Sequence, residues 1–113
     1  LIIPDDINQM IELGIEEPSV VISSSSSGGT NAVLQKPPNL IPACFGPNSF
    51  MEHLNRAMAI GISAKSYSSF RVATDVDSID DLKNFLRVGN QTVSHRFLER
   101  IGFCERLVHT YGI

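Results

Sequence analysis

A layered α/β domain is what this sequence predicts, and three observations predict it. Short, mainly apolar runs (Val20-Val21-Ile22, Ala32-Val33-Leu34, Phe70-Arg71-Val72) alternate with segments of helical periodicity. Clusters of Gly, Pro and Ser punctuate the joints between them. The 113 residues are 42% hydrophobic and 19% charged, a globular balance that supports one core without disulfide staples. No repeat, heptad or linker divides residues 1–113, so one domain is expected.

The elements follow in order. Residues 4–13 read as a short helix: Ile3, Ile7, Met10 and Ile11 share a face, acids crowd the first turn, and Gly14 can close it in a left-handed cap. Residues 19–23 read as a buried strand, 23–29 as a small-residue loop, and Asn31-Ala32-Val33-Leu34 as a second strand. Pro37, Pro38 and Pro42 make 35–47 an irregular connection. Ser49-Phe50-Met51-Glu52 has the form of a capping box, with Ser49 as cap and Glu52 reaching back. Phe50, Leu54, Ala57 and Met58 form the stripe of the helix that follows, and Gly61 stops it. Residues 64–68 suit an edge strand and Phe70–Thr74 another strand, which delivers Asp75-Val76-Asp77. Ser78 can cap a helix over 79–88, with Leu82, Phe85 and Leu86 inward and Gly89 behind it. A last helix spans about 92–101, carrying Val93, Phe97 and Ile101 one turn apart, with Gly102 closing it; the pattern of 103–113 is ambiguous.

Charge and cysteine exclude several classes. The net charge is −3 and no Lys/Arg block occurs, which argues against nucleic acid or an anionic membrane as partner. No apolar run approaches the ~20 residues of a membrane span. The first residues lack the basic and apolar regions of a secretory signal. Cys44 and Cys104 stand 60 apart with no metal-ligand spacing, which fits a reducing cytoplasm. Residues 1–17 hold five acids and no base, and residues 75–82 hold four Asp and no base. Such blocks suit either a cation held beside an anionic ligand or solvated helix faces.

Three constellations could carry chemistry. In Ser27-Gly28-Gly29-Thr30-Asn31 the paired glycines let backbone N–H groups approach an anion, while Thr30 adds a hydroxyl and Asn31 an amide; the alternative is a flexible turn. Phe45-Gly46-Pro47-Asn48-Ser49 leads into a helix start, where unsatisfied N–H groups favour phosphate or carboxylate. Gly46 would give backbone access, and Ser49 could exchange its capping bond for a ligand oxygen; the alternative is a plain cap. His53, one turn on and on the Ser49 face, could donate to an anion, carry a proton or simply pack. In extended geometry Asp75 and Asp77 point to one side, as two hard ligands for Mg²⁺ or Mn²⁺ or as a solvated turn. Asp80 and Asp81 read as first-turn helix residues, and His95 and His109 as core or surface. The Gly-x-x-x-x-Gly-Lys, Gly-x-Gly-x-x-Gly and Gly-x-Ser-x-Gly patterns are all absent.

In order and spacing, Gly-Gly-Thr-Asn-Ala-Val (28–33), Phe-Gly-Pro-Asn-Ser-Phe-x-x-His-Leu (45–54) and Ala-Thr-Asp-Val-Asp-Ser-x-x-Asp-Leu (73–82) resemble the 2-phospho-L-lactate guanylyltransferase family. The resemblance spans roughly residues 1–100. It implies a single nucleotidyltransferase domain of glycosyltransferase-A-like, Rossmann-like type, cytoplasmic, acting in coenzyme F-420 biosynthesis. It implies transfer of GMP from GTP to 2-phospholactate or phosphoenolpyruvate, with release of pyrophosphate. Thr30, Gly46 and Ser49 match positions that hold the phosphate and carboxylate of the acid, with Gly29 and Asn31 in the same loop. Asp75 and Asp77 match carboxylates that help hold magnesium, and His53 matches a position the family tends to keep.

The five consecutive Ser before Gly28 depart from the family pattern, which has a charged or polar mixture there. The family's opening strand, its basic GTP-holding loop and a further metal Asp are expected upstream of Leu1, so the chain reads as the C-terminal half of the domain. A half-sheet exposes edges that a missing half, or another copy in a homodimer, would cover. Two other readings are a different sugar or acid nucleotidyltransferase and a non-catalytic phospholigand-binding module.

Overall fold

The computed structural model describes residues 1–88 and 92–111. They form two compact units, one over Ile2–Thr74 and one from Asp75 onward.

The first unit is built on a three-stranded sheet of order β2-β1-β3, made of β1 (Ser19–Ser24), β2 (Thr30–Lys36) and β3 (Lys65–Ser66). The β-branched run Val20-Val21-Ile22 is buried on both faces, which places β1 at the centre. β2 pairs with it antiparallel, Val21 opposite Leu34, and the register slips at Ser23/Ser24 just before the serine loop. β3 runs parallel to β1 and extends over two residues only, against the five expected.

Val20 and Ile22 project into a core with Ile41 and Ala57, and Phe50 and Leu54 pack against it. The last three belong to α2 (Ser49–Ala59), whose apolar stripe is the expected one but for Met58, which is exposed. Met58 lies about 140° around the helix from His53, the middle of the buried line Ser49, His53 and Ala57, and so faces outward. α2 ends in a Schellman motif, with Ile62 N–H on the Ala57 carbonyl and Gly61 N–H on that of Met58; Gly61 takes the positive φ of +81°.

α1 (Pro4–Leu13) forms where expected but rolls onto a different face. Asp6 and Met10 are buried, whereas Ile3, Ile7 and Ile11 are exposed. The reason lies far along the chain. Asp6 is fully buried and accepts from Arg71 Nη2 at 2.7 Å, Arg71 Nε at 3.0 Å, Tyr67 Oη at 2.7 Å and its own Ile3 N–H at 3.0 Å. Arg71 is the main cause holding this carboxyl well below the ordinary range, against the opposing effect of burial. Gly14 has φ −99°, not the expected left-handed value. It is small for contact: a Cβ there would sit 2.6 Å from Leu34 Cδ2. Lys65 and Lys36 donate to the Leu13 and Ile15 carbonyls, supplying cations at a helix end that has none of its own.

The strand expected over 70–74 is instead a single turn, α3 (Phe70–Ala73). Ser69 caps it by accepting from Arg71 N–H, and the Arg71–Asp6 pair anchors it. A local apolar pattern reads as strand, and these two contacts override it.

The second unit contains α4 (Ile79–Val88), α5 (Val93–Arg100) and α6 (Phe103–Tyr111). Ser78 caps α4 as expected, its hydroxyl accepting from Asp81 N–H while Asp81 accepts from Ser78 N–H in return. Phe85 and His95 are buried, and His95 Nε2 donates to the Leu86 carbonyl at 2.7 Å. Val93, Phe97 and Ile101 are exposed; Val93 and Phe97 line an open apolar hollow of about 860 Å³ with Val76 and Leu82. Gly89 lies outside the described residues. No helix of the described residues is long and apolar enough to cross a membrane.

Candidate anion-binding site

Two glycine-bearing loops of the first unit meet at one place. The serine loop closes on itself: Ser25 N–H donates to the Gly29 carbonyl and Gly29 N–H to Ser25 Oγ, both at 2.9 Å. Ser25, third of the five serines, is therefore buried and committed to shaping the turn. That turn lies against the start of α2. A Cβ on Gly29 would stand 3.4 Å from the Gly46 carbonyl oxygen, and the Gly28 carbonyl accepts from Phe50 N–H. Gly46 itself has φ +136°, a backbone region that suits glycine.

Beneath the contact runs a buried polar chain. Thr30, the first residue of β2, meets α2 through Ser49 Oγ, which donates to Thr30 Oγ1 at 3.0 Å. His53 Nδ1 lies 2.9 Å from the same Thr30 oxygen. His53 Nε2 accepts from Cys44 N–H at 3.1 Å, and Phe45 sets its ring edge-on to the imidazole. Ser49 and His53 are one turn apart on the inward face of α2 and are fully buried; Thr30 retains 8% exposure. Burial is the largest influence on His53 and pushes its pKa below the ordinary histidine value. Arg56 pushes the same way, and the Ser49 carbonyl and Glu52 pull it back.

This geometry corrects the expected cap. Asn48, at φ +60°, occupies the cap position, and Ser49 is the first helical residue. The Ser49 hydroxyl turns sideways to Thr30 because a buried hydroxyl needs a partner and Thr30 is within reach. Glu52 pairs with Arg56 at 3.2 Å instead of reaching back. The helix start also has fewer free donors than expected, since Ser49 N–H and Phe50 N–H bond the Gly46 and Gly28 carbonyls. Asn31 is half-buried, and its amide nitrogen donates to the Val72 carbonyl at 2.8 Å.

So Gly29, Thr30, Gly46, Ser49 and His53 come together from segments up to 24 residues apart. Asp75 and Asp77 belong to the second unit, in the irregular stretch before α4, and emerge from no strand. Asp75 is half-buried and Asp77 exposed, and among the described residues neither carboxylate has a hydrogen bond or ion pair. Their chemistry, two unengaged hard oxygen donors, fits a divalent cation that takes its remaining ligands from water or substrate. Among the described residues no group of three or more His, Cys, Asp or Glu side chains is placed to hold a metal. Sequence reasoning missed Ser25 and the Cys44 N–H. The first has a local signal, a serine four residues before a glycine turn; the second is a backbone group and has none.

These features define an α/β protein with a glycine-walled polar site over a buried hydroxyl–imidazole chain. Comparison with known proteins supplies the family. The family described as "Guanylyl transferase CofC like" matches residues 1–111, and the chain belongs to it. Among curated relatives it is 41% identical over 83 residues to a phosphoenolpyruvate guanylyltransferase of Rubrobacter xylanophilus, covering 73% of this chain and 40% of that protein. It is 33% identical over 84 residues to a 2-phospho-L-lactate guanylyltransferase of Methanothermobacter thermautotrophicus, covering 74% of this chain and 37% of that protein. A 2-phospho-L-lactate guanylyltransferase of Methanoculleus marisnigri is 33% identical over 103 residues, 91% of this chain and 46% of that protein. The chain thus spans less than half the length of these relatives.

Proposed function

We propose that the chain is the acid-binding part of a cytoplasmic guanylyltransferase of glycosyltransferase-A-like, Rossmann-like fold. The enzyme joins the GMP unit of GTP to 2-phospho-L-lactate or phosphoenolpyruvate, in the route to coenzyme F-420. The family match and the names of the relatives support the reaction class. The single observation that carries the site is the meeting of Gly29 and Gly46 over Thr30 and Ser49. It sets glycine backbone beside the Thr30 and Ser49 hydroxyls, and at Gly46 the space around an added Cβ is open to 4 Å, which leaves room for a phosphate or carboxylate to approach the backbone.

In the reaction a phosphate oxygen of the acid attacks the α-phosphorus of GTP and forms the new P–O bond. The bond from that phosphorus to the bridging oxygen breaks, and pyrophosphate leaves with the electron pair. This chain's contribution is to bind and orient the acid, because positioning supplies much of the acceleration in phosphoryl-type transfers. Asp75 and Asp77 would hold Mg²⁺ or Mn²⁺, which when bound neutralises phosphate charge. A nucleophilic side chain is not required.

Calorimetry tests the reading. Phosphoenolpyruvate is expected to bind the 113-residue chain, and Thr30→Val to weaken it roughly tenfold, the loss of one hydrogen bond. Absence of binding, or equal binding by Thr30→Val, would remove the assignment.

A further inference from the structure

His53 lies fully buried beneath the site. Its hydrogen bonds determine more than its position. The Cys44 partner is a backbone N–H, which can only donate, so His53 Nε2 must be the lone-pair nitrogen. In the neutral ring the proton then sits on Nδ1 and is donated to Thr30 Oγ1. Ser49 Oγ donates to the same oxygen. A hydroxyl oxygen has two lone pairs and one proton. Both lone pairs of Thr30 are therefore taken, and among the described residues its own proton has no acceptor.

We propose that His53 is a positioning residue. As its Nδ1–H tautomer, locked by the Cys44 N–H, it fixes the Thr30 hydroxyl as an obligatory donor to an oxygen of the bound anion. This rests on the acid-binding reading above and adds how the site is polarised. A freely rotating hydroxyl could present either a proton or a lone pair. Thr30 is held with only the proton available, so it favours an oxyanion over a ligand group that must itself donate. The lowered basicity of the buried imidazole is consistent with the neutral tautomer.

Two measurements on the full chain test it. Long-range nitrogen–proton correlation spectra of the wild type are expected to show His53 protonated at Nδ1 and bare at Nε2. The reverse tautomer overturns the inference whatever the ligand results. Calorimetry with phosphoenolpyruvate then compares variants at matched thermal stability. His53→Leu is expected to weaken binding roughly tenfold, and His53→Asn, whose amide can stand in for the Nδ1 donor, to restore it to within about threefold. In a Thr30→Val background, His53→Leu should cost nothing further. A cost that persists there marks a merely structural histidine and overturns the proposal. If the wild type binds no phosphoenolpyruvate while the tautomer is as stated, the acid-binding reading fails and the ligand role of His53 with it.

Discussion

Replacing Asp6 with Asn removes one charge from the most heavily bonded side chain of the first unit. Its two oxygens accept four hydrogen bonds, two from Arg71, one from Tyr67 and one from Ile3 N–H. An amide keeps one acceptor oxygen and turns an NH₂ toward donors. At least one donor is then left facing another, and Arg71 loses its counter-ion. Breaking a buried pair by removing one partner costs about 3–5 kcal/mol. The Arg71 side chain is 30% exposed, so water recovers part of this, and a loss of about 2–4 kcal/mol is expected. Urea unfolding should show it as a lower midpoint at unchanged slope. The sign with pH follows from the folded-state pKa lying below the unfolded value of about 3.9. The unfolded chain takes up the proton first. The stabilisation is therefore fully present above about pH 4–5 and is lost as pH falls toward the folded-state pKa. The wild type should approach the stability of Asp6→Asn as the solution is acidified through this range. A loss under about 0.5 kcal/mol, or a wild-type advantage that grows in acid, would refute the role given to this carboxylate.

Other outcomes are as definite. Gly14→Ala should destabilise by about 1–3 kcal/mol through its contact with Leu34, and Leu34→Val should relieve it. Gly46→Ala should cost a similar ~1–3 kcal/mol through backbone strain alone, and with no atom within 4 Å of the added Cβ no neighbouring substitution should relieve it. Melting curves of the single and double variants separate the two cases. Asp75→Asn should change stability by no more than about 0.5 kcal/mol, since its carboxylate has no partner among the described residues. In the complete enzyme it should cut turnover by orders of magnitude, and full activity with magnesium would remove the metal role. Ser49→Ala should raise the KM for the acid far more than that for GTP in steady-state assays; equal effects would count against its place in the acid site.

The elements written in local periodicity were legible in the sequence. The Val20-Val21-Ile22 run gave the central strand, and Phe50, Leu54 and Ala57 the buried stripe of α2. Ser78 with Asp81 gave the cap of α4. The two glycine segments were legible as separate candidate anion-binding places, and only the family resemblance joined Thr30, Gly46 and Ser49 in one site. What could not be read depended on distant partners. Asp6 looked like a solvated first-turn acid, and its partners lie 61 and 65 residues away. That pairing decides both which face α1 buries and why Phe70–Ala73 coils into a turn. The same holds for Ser49, expected as the cap of α2: it is the first helical residue, and its hydroxyl meets Thr30, 19 residues earlier, in place of its own helix. Local patterns set the elements, and long-range polar contacts set their orientation.

The two glycine loops and Thr30 are the proposed binding place of a phosphorylated three-carbon acid. The most direct measurement is an amide chemical-shift titration of the chain with phosphoenolpyruvate. Saturable shifts centred on Gly28–Asn31 and Gly46–Phe50 are expected, with the affinity read from them weakened roughly tenfold by Thr30→Val. Shifts confined to the apolar hollow around Leu82 and Phe97, or no saturable shifts at all, would contradict it.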